Sequence, residues 1–596
     1  MTAINCGFKP RSIHSAEVKI AFLRPILDYA MFYKNTIYTL ILVAAFFGAL
    51  EVTLALFGVR PLLLDEDPLV GFADNVPLFI PITRPDNSVV MGTAPNQLRL
   101  FSYQEFPGNK ADGSYRIFCM GGSTTHGRPY YDRVSFCGWL RAYLTAADPT
   151  RNWEVINAGG ISFASYRVAR LMNELKQYEP DLFVVYSGQN EFLEERSYRG
   201  LINLPTWLIN LNATLSGTRT YSAMKNMIDA IRYDLPGPAQ HGETLSGNVN
   251  EILNHTVGPE SYHRDDTLKQ KVITHYRLNM IRMVKIARSV DSDIIFVQPA
   301  INVKDMSPFK SEHKEGLGEP EREQWEARFA RAIDLQRGGD FDAALTVYRQ
   351  AMDFDERYAD LHFRMGQVFF SLGRYAEAEG AFRRAVEEDI VPLRILGAMQ
   401  RIVAQVAASE QVPLIDFPSI LRDAYLSKYD HAVFGKEYFR DHVHTNLEGY
   451  RLLGLALFDE LVIQGVVTPD ATWNEAHRER VEQKVIAGLD PRTEGHVSLN
   501  LGKVLEWAGK FDEAYSSFQR AFEILGPSPM LYDRLGRDSY ILGKYHDTVR
   551  YLREAVALYP EEQGLRVSLA LVLAKQGRTD KAIESYRTEI EHHPTS

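Results

Sequence analysis

The run YRIFCMGGSTT, residues 115–125, decides how this chain is read: an apolar stretch stops at Gly121-Gly122 and is followed at once by Ser123. A short apolar run bounded by a turn signal reads as a buried strand. In an open parallel sheet, ligands bind in the crevice outside the carboxyl ends of the strands, which is where this run puts Ser123. Glycines before a serine permit a tight turn that exposes the hydroxyl and brings backbone N–H groups toward an oxyanion. Taken alone, Gly-Gly-Ser also makes ordinary turns and phosphate-binding loops.

Working outward, further apolar runs WEVINA (153–158), DLFVVY (181–186), DIIFVQ (293–298) and VPLIDF (412–417) alternate with helical-period segments such as CGWLRAYLTAA (137–147) and YRVARLMNELKQY (166–178). Buried parallel strands joined by crossover helices have this texture. The expectation is a three-layer α/β domain, with a first part at 111–320 and a second at 393–470.

The two parts are separated by repeats. Gly339, Phe341, Ala344, Tyr348 and Ala351 are matched 34 residues later by Gly373, Tyr375, Ala378, Phe382 and Ala385. A second series runs through Gly509, Gly543 and Gly577, with Phe518, Leu552 and Tyr586 in register. A 34-residue step carrying glycine, small and aromatic residues resembles the tetratricopeptide repeat, a helix pair that stacks into a solenoid. Two repeats are expected at 321–392 and three at 471–596. Such solenoids present a concave face, so a protein partner is expected there.

Residues 37–59 form an apolar run with Glu51 as its one charge, long enough to cross a hydrocarbon core of about 30 Å as a helix. Lys9, Arg11, Lys19, Arg24 and Lys34 precede it, while Asp65, Glu66 and Asp67 follow. A cleaved signal peptide is the alternative, but a leader of 36 residues is too long and the apolar run exceeds a signal core, so an uncleaved single-pass transmembrane helix is expected. The positive-inside bias puts residues 1–36 in the cytoplasm and the bulk of the chain outside, in the periplasm of a bacterium. Glu51 within a span is expected to face another helix, as in self-association, or to snorkel. Residues 60–110 read as a linker, and 200–270 as a lid or packing insertion.

Composition narrows the function. Over 596 residues, 45% hydrophobic and 24% charged, there is apolar surface for several real cores. A net charge of −10 without a basic cluster argues against nucleic acid as a partner. Cys6, Cys119 and Cys137 have no C-x-x-C spacing; Cys119 and Cys137 read as buried thiols, or as a bridge in an oxidising compartment.

Three more blocks end at the same rim: Asn157-Ala158-Gly159-Gly160-Ile161-Ser162, Gly188-Gln189-Asn190-Glu191, and Asp441-His442-Val443-His444. Asn190 offers a side-chain N–H and the turn after Asn157 a main-chain one, as an oxyanion hole requires. His444 is placed to take the Ser123 proton, with Asp441 to orient its imidazole. A metal reading of Asp441, His442 and His444 lacks a second ligand cluster.

In this order the four blocks resemble the motifs of the SGNH (GDSL-like) hydrolase family: a Gly-x-Ser nucleophile turn, an Asn-to-Gly segment, Gly-x-Asn-Asp or -Glu, and Asp-x-x-His. The resemblance covers about 113–200, 290–310 and 411–465. It implies a flavodoxin-like α/β/α sandwich and a serine esterase that needs no cofactor or metal. Ser123 would be the nucleophile, His444 the general base, and Asp441 its orienting carboxylate. The oxyanion hole would come from Ser123, Ser162 and Asn190. Ser162 stands where the family has glycine, which leaves Gly159 or Gly160 as alternative donors. Gly122, Gly160, Gln189 and His126 would border the ester substrate, with Tyr130 nearby. The segment Val297–Asn302 would shape access. The alternatives are an acyltransferase, or a tetratricopeptide scaffold whose α/β domain only binds its ligand.

Overall fold

The computed structural model describes residues 14–59, 61, 77–193, 215, 218–233, 259 and 262–593. Cys6, Lys9, Arg11, the acidic residues 65–67 and most of the stretch 200–258 lie outside the described residues. The chain forms two compact units, Met1–Pro68 with Asn210–Gln240, and Leu69–Ile209 with His241–Ser596.

The first unit is built on one helix, His14–Leu56. Its stretch Lys34–Leu56 has a mean hydropathy of 2.2, and none of its most apolar window is buried. It is the one candidate membrane span among the described residues. The Glu51 side chain meets the same chain: its carboxylate accepts from the N–H groups of Arg219 (2.9 Å) and Thr220 (2.7 Å), which open the helix Arg219–Tyr233.

In the second unit, three short strands, β1 (Phe79–Thr83), β2 (Val89–Thr93) and β3 (Glu105–Pro107), form an antiparallel sheet. The linker expected over 60–110 is therefore partly structured. These strands escape a periodicity reading because they are at most five residues long. The main sheet follows with β4 (Ser114–Gly121), β5 (Asn152–Gly159), β6 (Leu182–Tyr186), β7 (Asp293–Val297) and β8 (Leu414–Ile415). All its pairs are parallel and the order is β5-β4-β6-β7-β8, the 2-1-3-4-5 order of a doubly wound sheet. Register brings Gly121 opposite both Gly159 and Tyr186, so three strand ends share one rim beside Ser123.

Alternation along β4 supplies both faces of this sheet. Ile117 and Cys119 pack into a core with Trp139 and Leu140 of the helix Phe136–Ala147 and Leu453 and Leu457 of the helix Leu447–Ile463. Phe118 and Met120, equally buried, point the other way. There the helices Ser165–Leu175, Asp266–Arg288 and Gly397–Glu410 stand against one another. Cys119 and Cys137 are both buried free thiols, so the bridge does not form. The helix Glu475–Ile486, placed with the repeats from sequence, packs on the α/β layer instead: Tyr143 donates to Glu482 at 2.9 Å and Val485 joins the core of Leu140. Its mostly charged surface hides this role from a pattern reading.

Two helix pairs, Glu319–Arg337 with Phe341–Met352 and Ala359–Ser371 with Tyr375–Glu388, are inserted between β7 and β8. Three more pairs fill Thr493–Trp507 to Thr579–His592. Each pair turns at a glycine with positive φ, from +72° at Gly373 to +80° at Gly339, a conformation that favours glycine. A second small position sets the helix spacing. A β-carbon on Gly366 would lie 2.6 Å from the Phe382 ring, and one on Gly502 2.4 Å from Phe518. Ala332 and Ala570 stand at the equivalent positions on the same 34-residue step.

Candidate active site

The nucleophile turn is made by β4 running into a short helix, Ser123–His126. Gly121 takes φ +157°, and a side chain there would strike the Tyr186 carbonyl at 2.1 Å. Gly122 is hemmed by Asn190, whose amide nitrogen would stand 2.6 Å from a β-carbon on it. Ser123 is only half-buried at this turn. Asn157 braces the turn from β5: its amide donates to the Thr125 carbonyl at 2.9 Å and to Asp132 at 2.9 Å, while its oxygen accepts from Gly159 N–H.

His444, 321 residues further on, brings Nε2 to within 2.7 Å of Ser123 Oγ. Its Nδ1 lies 2.6 Å from Asp441 Oδ2, and the other Asp441 oxygen accepts from the N–H groups of Val443 (2.9 Å) and His444 (2.8 Å). Burial pushes the Asp441 carboxyl up, but His444, His442 and these hydrogen bonds outweigh it and hold the group well below the usual carboxylate range. An ionised Asp441 can fix the tautomer that presents a bare Nε2 to the serine. His442 stands outside the relay, edge-on to Phe309 with Nδ1 3.6 Å from Asp441 Oδ1, and burial pushes its imidazole down to about 4.

The loop carrying Asp441 and His444 is clamped from β7. Asn302 donates through its side chain to the Asp441 carbonyl (3.1 Å) and through its N–H to the His442 carbonyl (3.0 Å). Buried Arg394 in turn donates to the carbonyls of Asn302 and Met306. Asn302 was read from sequence as part of a segment shaping access; its contacts show it bracing this loop. Arg394 was missed altogether, since nothing local marks a partner 92 residues away.

Beside the nucleophile turn lies the turn after β5. Gly159 N–H is taken by Asn157, and Gly160 N–H by the Gly121 carbonyl at 3.0 Å. Ile161 and Phe163 N–H groups donate to Leu100 and Gly160. Among the described residues, the N–H groups of Ser123 and Ser162 donate to no protein acceptor. Ser162 takes φ +63°, in the left-handed region, which is the reason a glycine suits this place. The Asn190 amide nitrogen donates one hydrogen to the Phe163 carbonyl at 3.1 Å and has a second.

The residues expected to border substrate divide. Gly122 and Gly160 are close-approach positions, the latter covered by Phe163 and Phe101. His126 lies by the turn with Nε2 3.2 Å from the Ser102 hydroxyl, and burial with nearby Arg128 pushes its imidazole down to about 4. Gln189 is a correction: its amide donates to the Ala300 carbonyl at 3.1 Å and accepts from Ile395 N–H at 2.8 Å, so it ties three segments together instead of facing a ligand. Tyr130 is buried, and its hydroxyl donates to Glu494 at 2.9 Å and accepts from Arg440 at 3.0 Å. Among the described residues, no group of three His, Cys, Asp or Glu side chains is set to hold a metal ion.

The chain carries tetratricopeptide repeats, for the family model of that description matches residues 329–391 and 534–596. Protein O-mannosyl-transferase TMTC1 of Homo sapiens is 34% identical over 88 residues, which are 15% of this chain and 10% of that protein. The chain thus spans about a tenth of the length of that relative. Similar solved structures include MamA, 25% identical over 23% of this chain and 74% of that one, with a TM-score of 0.17. An alpha/beta hydrolase enzyme from the metagenome of Lake Arreo is 14% identical, over 60% of this chain and 98% of that one, with a TM-score of 0.26.

Proposed function

We propose that this chain is a membrane-anchored SGNH-type serine hydrolase acting on ester bonds, with repeats that bind a protein partner. One observation carries the reading: Ser123 Oγ, His444 and Asp441 stand in an unbroken relay of 2.7 and 2.6 Å. In this reading His444 Nε2 takes the Ser123 proton as Oγ attacks the ester carbonyl, and Asp441 stabilises the imidazolium that forms. The negative oxygen of the tetrahedral intermediate is held by the N–H groups of Ser123 and Ser162 and by Asn190 Nδ2. Collapse expels the alcohol, which takes the proton from His444. Water, deprotonated by the same imidazole, then releases the acid from Ser123.

The substrate class that fits is an acylated glycan or lipid on the extracytoplasmic side, with the N-terminus cytoplasmic. The α/β layer and the strand order support a flavodoxin-like SGNH domain, and the matched repeats support a scaffold role carried by the same chain. The test is to trap the acyl-enzyme: rapid-quench intact mass after mixing with p-nitrophenyl acetate should show one added acetyl group, mapped to the peptide bearing Ser123. An unmodified Ser123 peptide during observed turnover would remove the covalent mechanism.

A further inference from the structure

Glu51, whose carboxylate bonds the first turn of the helix Arg219–Tyr233, lies five residues before the Leu56 end of the Lys34–Leu56 segment. At about 1.5 Å per residue, Glu51 sits roughly 7 Å below the Leu56 end of the helix. The whole segment, at the same rise, is only slightly longer than a hydrocarbon core of about 30 Å, so that depth falls inside the core edge. Two backbone N–H groups, those of Arg219 and Thr220, bond Glu51 there. The start of the second helix is therefore held at the same depth.

This pairing answers two costs at once. A carboxylate within a span needs donors, and the first N–H groups of a helix have no partner of their own. The positive end of the helix dipole meets the negative charge. Thr218 supports the start, with its hydroxyl accepting from Tyr221 N–H at 3.3 Å. The side chains then sort by face. Ser222 is buried, whereas Met224 and Met227, which share a helix face, are 50% and 59% exposed, and Leu215 just before the helix is 39% exposed. Large exposed apolar side chains on a helix tied to an unburied apolar span continue the lipid-facing surface of that span.

We propose that Arg219–Tyr233 is an interfacial helix lying at the boundary of headgroups and acyl chains, with Met224 and Met227 in contact with phospholipid acyl chains and Glu51 as its anchor. Amphipathic interfacial helices bury their apolar face about 5–10 Å into this boundary, the depth that Glu51 imposes. The proposal rests on the reading of Lys34–Leu56 as a membrane span. It replaces self-association as the partner of Glu51 with a contact inside one chain.

The experiment uses the full chain in nanodiscs of phosphatidylethanolamine and phosphatidylglycerol, with Cys6→Ser to leave only the buried thiols. Nitroxide labels are placed singly at Val43→Cys, Met224→Cys and Met227→Cys, and collision with oxygen is compared with collision with a nickel chelate. The expected result is that oxygen exceeds nickel at all three sites, and that adding Glu51→Leu shifts the two helix labels toward nickel while the Val43 label stays. A lipid-like Val43 label beside nickel-accessible labels at 224 and 227 would overturn the interfacial helix and leave the span intact. A nickel-accessible Val43 label would overturn the span and the helix together. Labels at 224 and 227 that ignore Glu51→Leu would overturn the anchoring role.

Discussion

Glu494 and Arg440 form an ion pair at 3.0 Å that joins the first helix of the C-terminal repeats to the residue immediately before Asp441. Arg440 also reaches the hydroxyl of Tyr130, seven residues after Ser123, and its N–H donates to the His444 carbonyl at 2.8 Å. Arg440 therefore links the repeats to the segment after Ser123 through its guanidinium and to His444 through its main chain.

Loss of that pair should be felt in the reaction. Both partners are about one-third exposed, so the interaction is worth no more than about 1 kcal/mol, roughly a fivefold effect. Glu494→Gln is expected to lower kcat/KM for p-nitrophenyl acetate by about that factor while the chain stays folded by circular dichroism. An unchanged kcat/KM would show that the repeats do not steady the Asp441–His444 loop.

Ser162 gives a prediction with two opposite arms. A non-glycine residue at φ +63° carries strain of about 1 kcal/mol, which Ser162→Gly relieves at the cost of a more flexible unfolded chain. That variant should keep activity and unfold at an equal or higher urea concentration. Ser162→Pro cannot adopt this φ and has no N–H, so it should lose turnover by about two orders of magnitude if the N–H serves the oxyanion. Comparable turnover in soluble, folded Ser162→Pro would exclude that donor.

The C-terminal repeats contain a buried carboxyl, Asp538, where the 34-residue step places Val504 and Val572. Burial, with Glu506 adding repulsion, pushes it up to about 7, and neither oxygen has a hydrogen-bond partner. The folded state thus holds this proton to higher pH than the unfolded chain does. The associated stability is fully present below about 4, the ordinary carboxylate range, and is lost as pH rises through about 7. Asp538→Val should stabilise this helix pair at pH 8 by on the order of 2 kcal/mol, and by less at pH 5. Hydrogen exchange over Pro529–Ile541 at the two pH values checks it; an equal gain at both would remove the titration from the account.

What was legible in the sequence was local or periodic. Gly121-Gly122-Ser123 follows its strand directly, Asp441 and His444 are three residues apart, and the turn glycines recur every 34 residues, so the parallel-sheet region and the repeats could be read without coordinates. The illegible parts depend on distant partners. Gln189 looks free until Ile395 arrives 206 residues later, and Tyr130 looks like a cleft residue until Glu494 arrives after 364. Glu51 meets its donors 168 and 169 residues on. The helix Glu475–Ile486 sits one step before a true repeat and was absorbed into it, because a polar amphipathic pattern does not say which core its few apolar residues join.

The most direct measurement is labelling of the full chain by a fluorophosphonate, with p-nitrophenyl acetate turnover read in parallel, for the natural sequence, Ser123→Ala, His444→Ala and the double variant. The account predicts that both single variants lose labelling and turnover, and that the double variant falls no further, since the two residues act as one unit. Undiminished labelling and turnover in folded Ser123→Ala would contradict it.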